Sequence, residues 1–359
     1  MNDCGRSSRI LRNQQHSINE EDIEAVTRAM KSGVITRGPE VRAFEEEFAD
    51  YVGAKHAVAC TSGTAALHLA CMAGAIGKNS IVDVPTITFA ATANTPLLYG
   101  SKVVYSHGPV HNRSAMQKIA MHYAGHAVHS DFPGVVIEDA CHALGASYPD
   151  GKKVGSCPES LMTCFSFHPA KHITTGEGGM VTTNDEQIVK RLRSLQNNGR
   201  HPRNGEGVWG LDWVENGLNY EMSDIAAALG RSQLKRAGEF LRVRRDRAYT
   251  YFRCLPDTAK PVLAQGNNHR DSYHLFPVLI DFEAIGKSRE RVMFQLMKKG
   301  IETQVHYVPL HLQPMGGGKR GDLPEAEKFY DLELSLPMHV NLTQDDVKYV
   351  CESLKEVLG

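Results

Sequence analysis

Between residues 56 and 183 the chain keeps returning to short, almost unbroken apolar runs: "HAVAC", "SIVDVP", "KVVYS", "GVVIEDA", "TCFSF" and "GGMVTTN". Helix-like stretches such as "TSGTAALHLACMAGA" and "FAATANTPLLYG" separate the early ones. A strand that is apolar on both faces must be covered on both, as happens when crossover helices flank a parallel sheet. The pattern predicts an α/β domain with a mostly parallel central sheet. Upstream, "INEEDIEAVTRAMKSG" predicts a helix capped by Asn19, with acids in its first turn, Ile23, Val26 and Met30 on one face, and a stop at Gly33. "GPEVRAFEEEFADYVGA" predicts another, with Pro39 in the first turn, an apolar stripe of Val41, Phe44, Phe48 and Val52, and an end at Gly53.

The rhythm changes after "SDIAAALGRSQLKRAGEFLRVRRDRAYTYF", which reads as one broken helix or two. "SYHLFPVLI" then predicts a strand, "RERVMFQLMKKG" a helix, "TQVHYV" a strand, and "TQDDVKYVCESLKEVL" a closing helix capped by Thr343. A chain of 359 residues agrees with about two domains. The expected division is a large domain over residues 1–240 and a smaller α+β domain over 241–359. Residues 197–219, rich in Gly and Asn and holding both tryptophans, read as a long loop. "RVRRDR" at 242–247 reads as a solvated helix face.

Composition narrows the function. A formal net charge of −1 gives no electrostatic case for a nucleic-acid or anionic-membrane partner. No apolar run reaches the roughly 18 residues that span a bilayer, and the first residues lack a signal-peptide core. The eight cysteines are scattered without a CxxC pair, which fits reduced thiols in the cytoplasm better than a disulfide frame or a zinc site. The histidines form no HExxH pair, so no metal site is expected. "GGGK" at 316–319 has no strand leading into it and Arg320 where a phosphate loop needs Ser or Thr; it reads as a surface loop.

In an open α/β sheet, ligands bind beyond the carboxyl ends of the strands. After "HAVAC", Gly63 and Thr64 open a helix, whose free amides and dipole suit a phosphate. Phe89 follows "SIVDVP" and offers an aromatic face; Asp139 and His142 follow "GVVIE"; Ser166, His168 and Lys171 follow "TCF". Lys171 is set among Thr and Gly rather than among solvated charges. A phosphate cradle, a flat ring, a carboxylate and an amine at one sheet edge suit pyridoxal phosphate. A lysine bonds an aldehyde when it is reachable and partly deprotonated, which a desolvated pocket favours. A carboxylate keeps the pyridine nitrogen protonated, so that the ring acts as an electron sink, and a phenyl ring can stack on it. Each residue also has a plain structural reading, as helix start, strand-end turn or core ring. Their order along the chain favours the chemical one.

These segments carry a resemblance. "VIEDACHALGASY", "SFHPAKHITTGEGGMV" and "GLNYEMSDIAAALGRSQLKR" resemble the DegT/DnrJ/EryC1/StrS sugar aminotransferases, fold-type-I pyridoxal phosphate enzymes, and weaker matches run from about residue 15 to the C-terminus. The resemblance implies that Lys171 carries the cofactor, Asp139 pairs with its pyridinium, His142 sits beside the ring and Phe89 stacks on it. Gly63, Thr64 and Ser166 would hold the phosphate, with Asn219 reaching it from the second subunit of a homodimer. His306 and Tyr307 are candidate substrate contacts. The implied reaction moves an amino group from L-glutamate to a nucleotide-linked 4-keto-6-deoxy sugar, similar to the C4 amination of UDP-linked HexNAc sugars in pseudaminic acid synthesis. A nucleotide-sugar dehydratase and a non-catalytic binding protein of the same fold stay open. The family's dehydratases carry histidine where this chain has Lys171, and a non-catalytic relative would lose the lysine–aspartate pair. The chain departs from the family pattern at Glu221, where "NYE" replaces "NYR", and in shortened crossovers near 103–135.

Overall fold

A computed structural model of the chain describes residues 10–107, 115, 117–128, 135–202, 210–263 and 269–359. Its central sheet has seven strands: β1 (His56–Cys60), β2 (Ile81–Pro85), β3 (Lys102–Ser106), β4 (Gln117–Met121), β5 (Val135–Asp139), β6 (Met162–Ser166) and β7 (Gly179–Thr183). Their order is β1-β7-β6-β5-β4-β2-β3. Only β7 runs against its neighbours, so β1, β2, β5 and β6 end at the same edge. All six expected strands form. The seventh, β4, was hidden in "QKIAM", where the buried Lys118 breaks the apolar run. Its connections pass through residues 108–114, 116 and 129–134, so the shortened crossovers lie partly outside the described residues.

Helices cover the sheet. The first is α1 (Glu20–Lys31), followed by α2 (Pro39–Val52), α3 (Gly63–Ala73), α4 (Ala90–Leu98), α5 (Glu186–Gln196) and α6 (Asp224–Lys235). α2 stops where Gly53 adopts φ +81°, a left-handed conformation that costs glycine little. Its Phe44 and Phe48 are fully buried, with ring centroids 5.3 Å from Phe167 and 5.1 Å from Phe165. Each such side chain contributes about 1.5–3 kcal/mol of burial. α1 departs from expectation: Ile23 and Met30 are 50% and 62% exposed, and the helix buries Asp22, Ala25 and Ala29. Small alanines let α1 approach α6 closely, and Asp22 is held there by Gln233 Nε2 at 2.6 Å and Arg236 at 3.1 Å.

Three further sequence expectations need correction. Residues 197–219 are not wholly loop, because β8 (Arg200–Pro202) and β9 (Leu211–Trp213) form an antiparallel pair; residues 203–209, with Trp209, lie outside the described residues. α7 (Ala237–Cys254) follows α6 after a break at Arg236. The "RVRRDR" face on α7 is not all solvated: Arg244 is 1% exposed, because its guanidinium is drawn inward to backbone carbonyls. The remaining elements are β10 (Ala259–Pro261), β11 (Phe276–Ile280), α8 (Arg289–Lys298), α9 (Pro324–Leu332), β12 (Glu333–Leu336) and α10 (Gln344–Leu358). β10, β11 and β12 make an antiparallel sheet over a core that includes Tyr251, Phe276, Leu334 and Val350. "TQVHYV" forms no strand, only a single bridge from Gln304 to Ser335. The N–H of His306 is taken by the Glu333 carboxylate at 3.0 Å instead of by a strand partner.

Candidate active site

The carboxyl edge of the sheet frames a cavity of about 380 Å³. Gly63, Thr64, Phe89, Asp139, His142, Ser166, Lys171, His306 and Tyr307 all line it. Asn219 does not: it is exposed, and its backbone bridges to Asn197. The topology explains the convergence, since β1, β2, β5 and β6 deliver their following residues to one edge.

Gly63 is the first residue of α3, directly after the N-cap Ser62, whose hydroxyl accepts from Ala65 N at 3.1 Å. A Cβ on Gly63 would stand 2.6 Å from the Cβ of Ser166, so only glycine lets the end of β6 come this close. The amides of Gly63 and Thr64 have no hydrogen-bond acceptor among the described residues. Unsatisfied first-turn amides beside a hydroxyl make an anion cradle.

Asp139 ends β5 and is 3% exposed. Its Oδ2 accepts from Thr92 Oγ1 at 2.7 Å, and its Oδ1 from Cys141 N at 3.1 Å. Thr92 spends its only hydroxyl proton on this carboxylate. The 2.7 Å contact between the Thr88 and Thr92 hydroxyls therefore has Thr88 donating. The result is a fixed carboxylate facing the cavity.

Lys171 lies in the connection between β6 and β7, half-buried, with Nζ 3.5 Å from His274 Nε2. Burial holds its amine below the ordinary lysine value, against the opposing pull of Cys141 and Asp139. His142 Nε2 is 3.1 Å from the Tyr307 hydroxyl, and its ring centroid is 4.3 Å from that of His274. Burial, followed by the charge of Lys171, holds His142 well below the usual imidazole range. Burial and then His142 do the same to His274. His306 is pushed down to about 4, by burial and then by Lys171. The imidazoles of His142, His274 and His306 are thus neutral at pH 7. Phe89 is 58% exposed at the rim, its centroid 6.2 Å from that of Tyr307. Among the described residues no group of His, Cys, Asp and Glu is arranged to hold a metal ion, and no helix is long and apolar enough to cross a membrane.

Sequence reasoning missed Thr92, His274, Glu333 and Ser335. Thr88 lies just ahead of the N-cap Phe89 and Thr92 in the first turn of α4, a four-residue spacing that could have flagged the pair. His274 was absorbed into a strand that begins only at Phe276. Glu333, fully buried in "LELSLP", is the clearest missed signal: a carboxylate in an apolar run, which burial pushes up to about 7. Glu221, the departure from the family pattern, is gripped by Arg37 at 2.9 and 2.5 Å.

The comparisons agree with this geometry. UDP-4-amino-4,6-dideoxy-N-acetyl-beta-L-altrosamine transaminase of Campylobacter jejuni is 33% identical over 368 residues, which cover 95% of this chain and 96% of that protein. The structure of Helicobacter pylori PseC, an aminotransferase of pseudoaminic acid biosynthesis, superposes with a TM-score of 0.87 at 28% identity, over 98% of this chain and 99% of its own. Spr1654 of Streptococcus pneumoniae, solved in a PLP form, gives 0.86 at 26% identity, over 97% of this chain and 98% of its own. The sequence pattern of one family matches residues 16–108 and 114–355. With that match laid over the cavity just described, the chain belongs to the DegT/DnrJ/EryC1/StrS aminotransferase family.

Proposed function

We propose that the chain is a pyridoxal phosphate-dependent aminotransferase that moves the amino group of L-glutamate to C4 of a nucleotide-linked 4-keto-6-deoxy sugar. The observation that carries this reading is the meeting of Lys171 and Asp139 in one cavity with the unsatisfied first turn of α3. The residues fit the cofactor. The Gly63 and Thr64 amides and Ser166 would receive its phosphate, the Asp139 carboxylate its pyridine nitrogen, and Phe89 one face of its ring. His142 Nδ1, buried and without a partner among the described residues, is a polar atom left for a ligand. Bound there, pyridoxal phosphate supplies an electron sink through which an amino group can pass between carbon skeletons.

The chain's own residues supply the rest. Lys171 Nζ, its basicity lowered by burial, takes a proton from the substrate carbon and returns it. The neutral His274 imidazole, 3.5 Å away, orients that amine without adding a competing charge. Thr92 and the Cys141 amide keep the Asp139 carboxylate from rotating. The cavity excludes much of the water that would otherwise stabilise a lysine cation. Donor and acceptor use the same site in turn, which gives ping-pong kinetics.

The 4-keto-6-deoxy HexNAc class is supported by the Campylobacter relative, whose name specifies a 4-amino-4,6-dideoxy sugar. A homodimer is supported by Trp213, Val214 and Leu218, large apolar side chains 74%, 58% and 39% exposed in the segment that leads to Asn219, which a second copy would cover. The partner's 211–219 segment then completes each cofactor site. We place the enzyme in the cytoplasm, in keeping with its seven described free cysteines, and keep the division into two units near residue 240. That boundary falls within α7, whose Phe240 packs into the large-sheet core and whose Ala248 and Tyr251 pack into the C-terminal one.

The test incubates the enzyme with glutamate and a UDP-linked 4-keto-6-deoxy-N-acetylhexosamine and looks for 2-oxoglutarate and the amino sugar by mass. A deoxygenated keto sugar with released ammonia would establish the dehydratase reading instead. Rapid transamination of small amino acids alone would leave the cofactor assignment standing and remove the sugar.

A further inference from the structure

His306 reaches the cavity from the C-terminal unit, and its other edge is held by a buried chain of hydrogen bonds. His306 Nδ1 is 2.8 Å from Ser335 Oγ, and Ser335 Oγ donates to Glu333 Oε1 at 2.5 Å. The second oxygen, Glu333 Oε2, accepts the backbone N–H of His306 at 3.0 Å. Ser335 and Glu333 are both fully buried. The backbones are pinned as well: Tyr123 donates its hydroxyl to His306 O at 2.6 Å, and Asn13 Nδ2 donates to Ser335 O at 3.0 Å.

Proton counting gives this chain a direction. Above about pH 7, where its buried carboxyl is ionised, Glu333 can only accept. Ser335 therefore points its single proton at Glu333 and has only a lone pair left for His306. His306 must then carry its proton on Nδ1. Its Nε2, which makes no hydrogen bond among the described residues, keeps a lone pair. We propose that Glu333 and Ser335 are positioning residues that lock His306 in the Nδ1–H form, so that its Nε2 accepts a hydrogen bond from a hydroxyl or amide N–H of the sugar. The sugar part rests on the aminotransferase reading above; the tautomer does not. The arrangement makes His306 a selective acceptor facing the cavity that Lys171 lines. It also gives the buried Glu333, which feels the charge of Arg289 of α8 and lies beside Ser335, Tyr123, Tyr307 and His306, a role in the reaction.

Glu333→Gln reverses the chain while keeping its shape. The amide oxygen must face the His306 N–H, so the amide NH₂ faces Ser335 and donates to it. Ser335 then turns its proton to His306 Nδ1, and Nε2 becomes the protonated nitrogen. The experiment labels the histidines of the holoenzyme with nitrogen-15 and reads the His306 tautomer by NMR at mildly alkaline pH, with the resonance assigned by its loss in His306→Gln. Wild type should show Nδ1–H and Glu333→Gln should show Nε2–H. In Ser335→Ala, a smaller perturbation should Glu333→Gln fold poorly, the preference should disappear. With the UDP-linked keto sugar as the kinetic probe, Glu333→Gln should raise KM about tenfold or more, because a donor now faces a donor, while kcat falls less. An Nε2–H wild type, or a tautomer unmoved in both variants, would overturn the relay. A moved tautomer with unchanged KM would overturn the sugar contact. If wild type does not turn the sugar over at all, the function proposal fails and the NMR still decides the relay.

Discussion

Arg244 allows a stability prediction in which two large effects nearly cancel. Its guanidinium is buried, and NH1 contacts the carbonyls of Tyr273 at 3.1 Å, His274 at 3.3 Å and Met338 at 3.0 Å. NH1 has two protons for three acceptors, so one proton is shared. Burial lowers the group from the ordinary arginine value to about 10, which corresponds to a cost of about 3 kcal/mol for keeping it charged. Arg244→Met removes that cost. It also takes the donor from three carbonyls, of which His274 O keeps Gln14 Nε2 at 2.9 Å. Losing this donor costs Tyr273 O and Met338 O up to about 1–3 kcal/mol each. The net loss should be about 1 kcal/mol, since the methionine stem still fills the space. Arg244→Ala leaves the same two carbonyls and adds a cavity, so it should cost a further 2–3 kcal/mol or so. The assay is equilibrium urea unfolding followed by circular dichroism, at fixed protein and cofactor concentrations because ligand and oligomer both shift apparent stability. Arg242→Met, on the exposed side of the same helix, is the control and should stay within about 0.5 kcal/mol. If Met and Ala prove equally costly, hydrogen bonding rather than packing sets the contribution of Arg244, and the balance above is wrong.

Other expectations concern the site. Purified protein should carry a visible chromophore that borohydride bleaches, with the label recovered on Lys171; Lys171→Ala should lower turnover by about 10²–10⁴-fold, and a label on another lysine would refute the assignment. Asn219→Ala should weaken cofactor retention by roughly fivefold, the effect of one hydrogen bond, with the fold intact by circular dichroism; unchanged retention, or a fully active monomer in solution, would contradict the shared site. Thr92→Val keeps the side-chain shape but strips a donor from the buried Asp139 carboxylate, which should cost about 1–3 kcal/mol and weaken cofactor binding measured by fluorescence titration. Thr92→Ser should restore most of both.

What was legible in the sequence follows from how local the determinants are. Gly63, Asp139, Ser166 and Lys171 could be placed because each ends or follows a strand, and the sheet topology alone then carries all four to one edge. α2 was legible because its caps and its phenylalanine stripe are local. α1 misled because its burial is decided by α6: alanines and an Asp22 held by Gln233 and Arg236 allow closer approach than Ile23 and Met30 would. Arg244 looked solvated because nothing nearby in sequence reveals that carbonyls from residues 273, 274 and 338 gather around it. His274, Glu333 and Ser335 come from the chain beyond α7, and only tertiary approach brings them to Lys171 and His306.

Glu221 shows the same rule at a point where the chain leaves its family's pattern. An acid in place of arginine reads, in sequence, as the loss of a cation. In the structure Arg37 brings its guanidinium to that acid from the turn ahead of α2, within 2.5 Å. With Arg37 55% and Glu221 20% exposed, the pair contributes no more than about 1 kcal/mol to stability. Its effect is therefore positional: the cation is supplied by the N-terminal segment and held in place by the residue that replaced it. Arg37 also donates to Asn197 Oδ1 at 3.0 Å, and Asn197 bridges to Asn219. The exchanged charge and the residue expected to reach a partner's cofactor are thus joined through three contacts, Glu221–Arg37, Arg37–Asn197 and Asn197–Asn219, so Arg37 and Glu221 help fix the segment that carries Asn219.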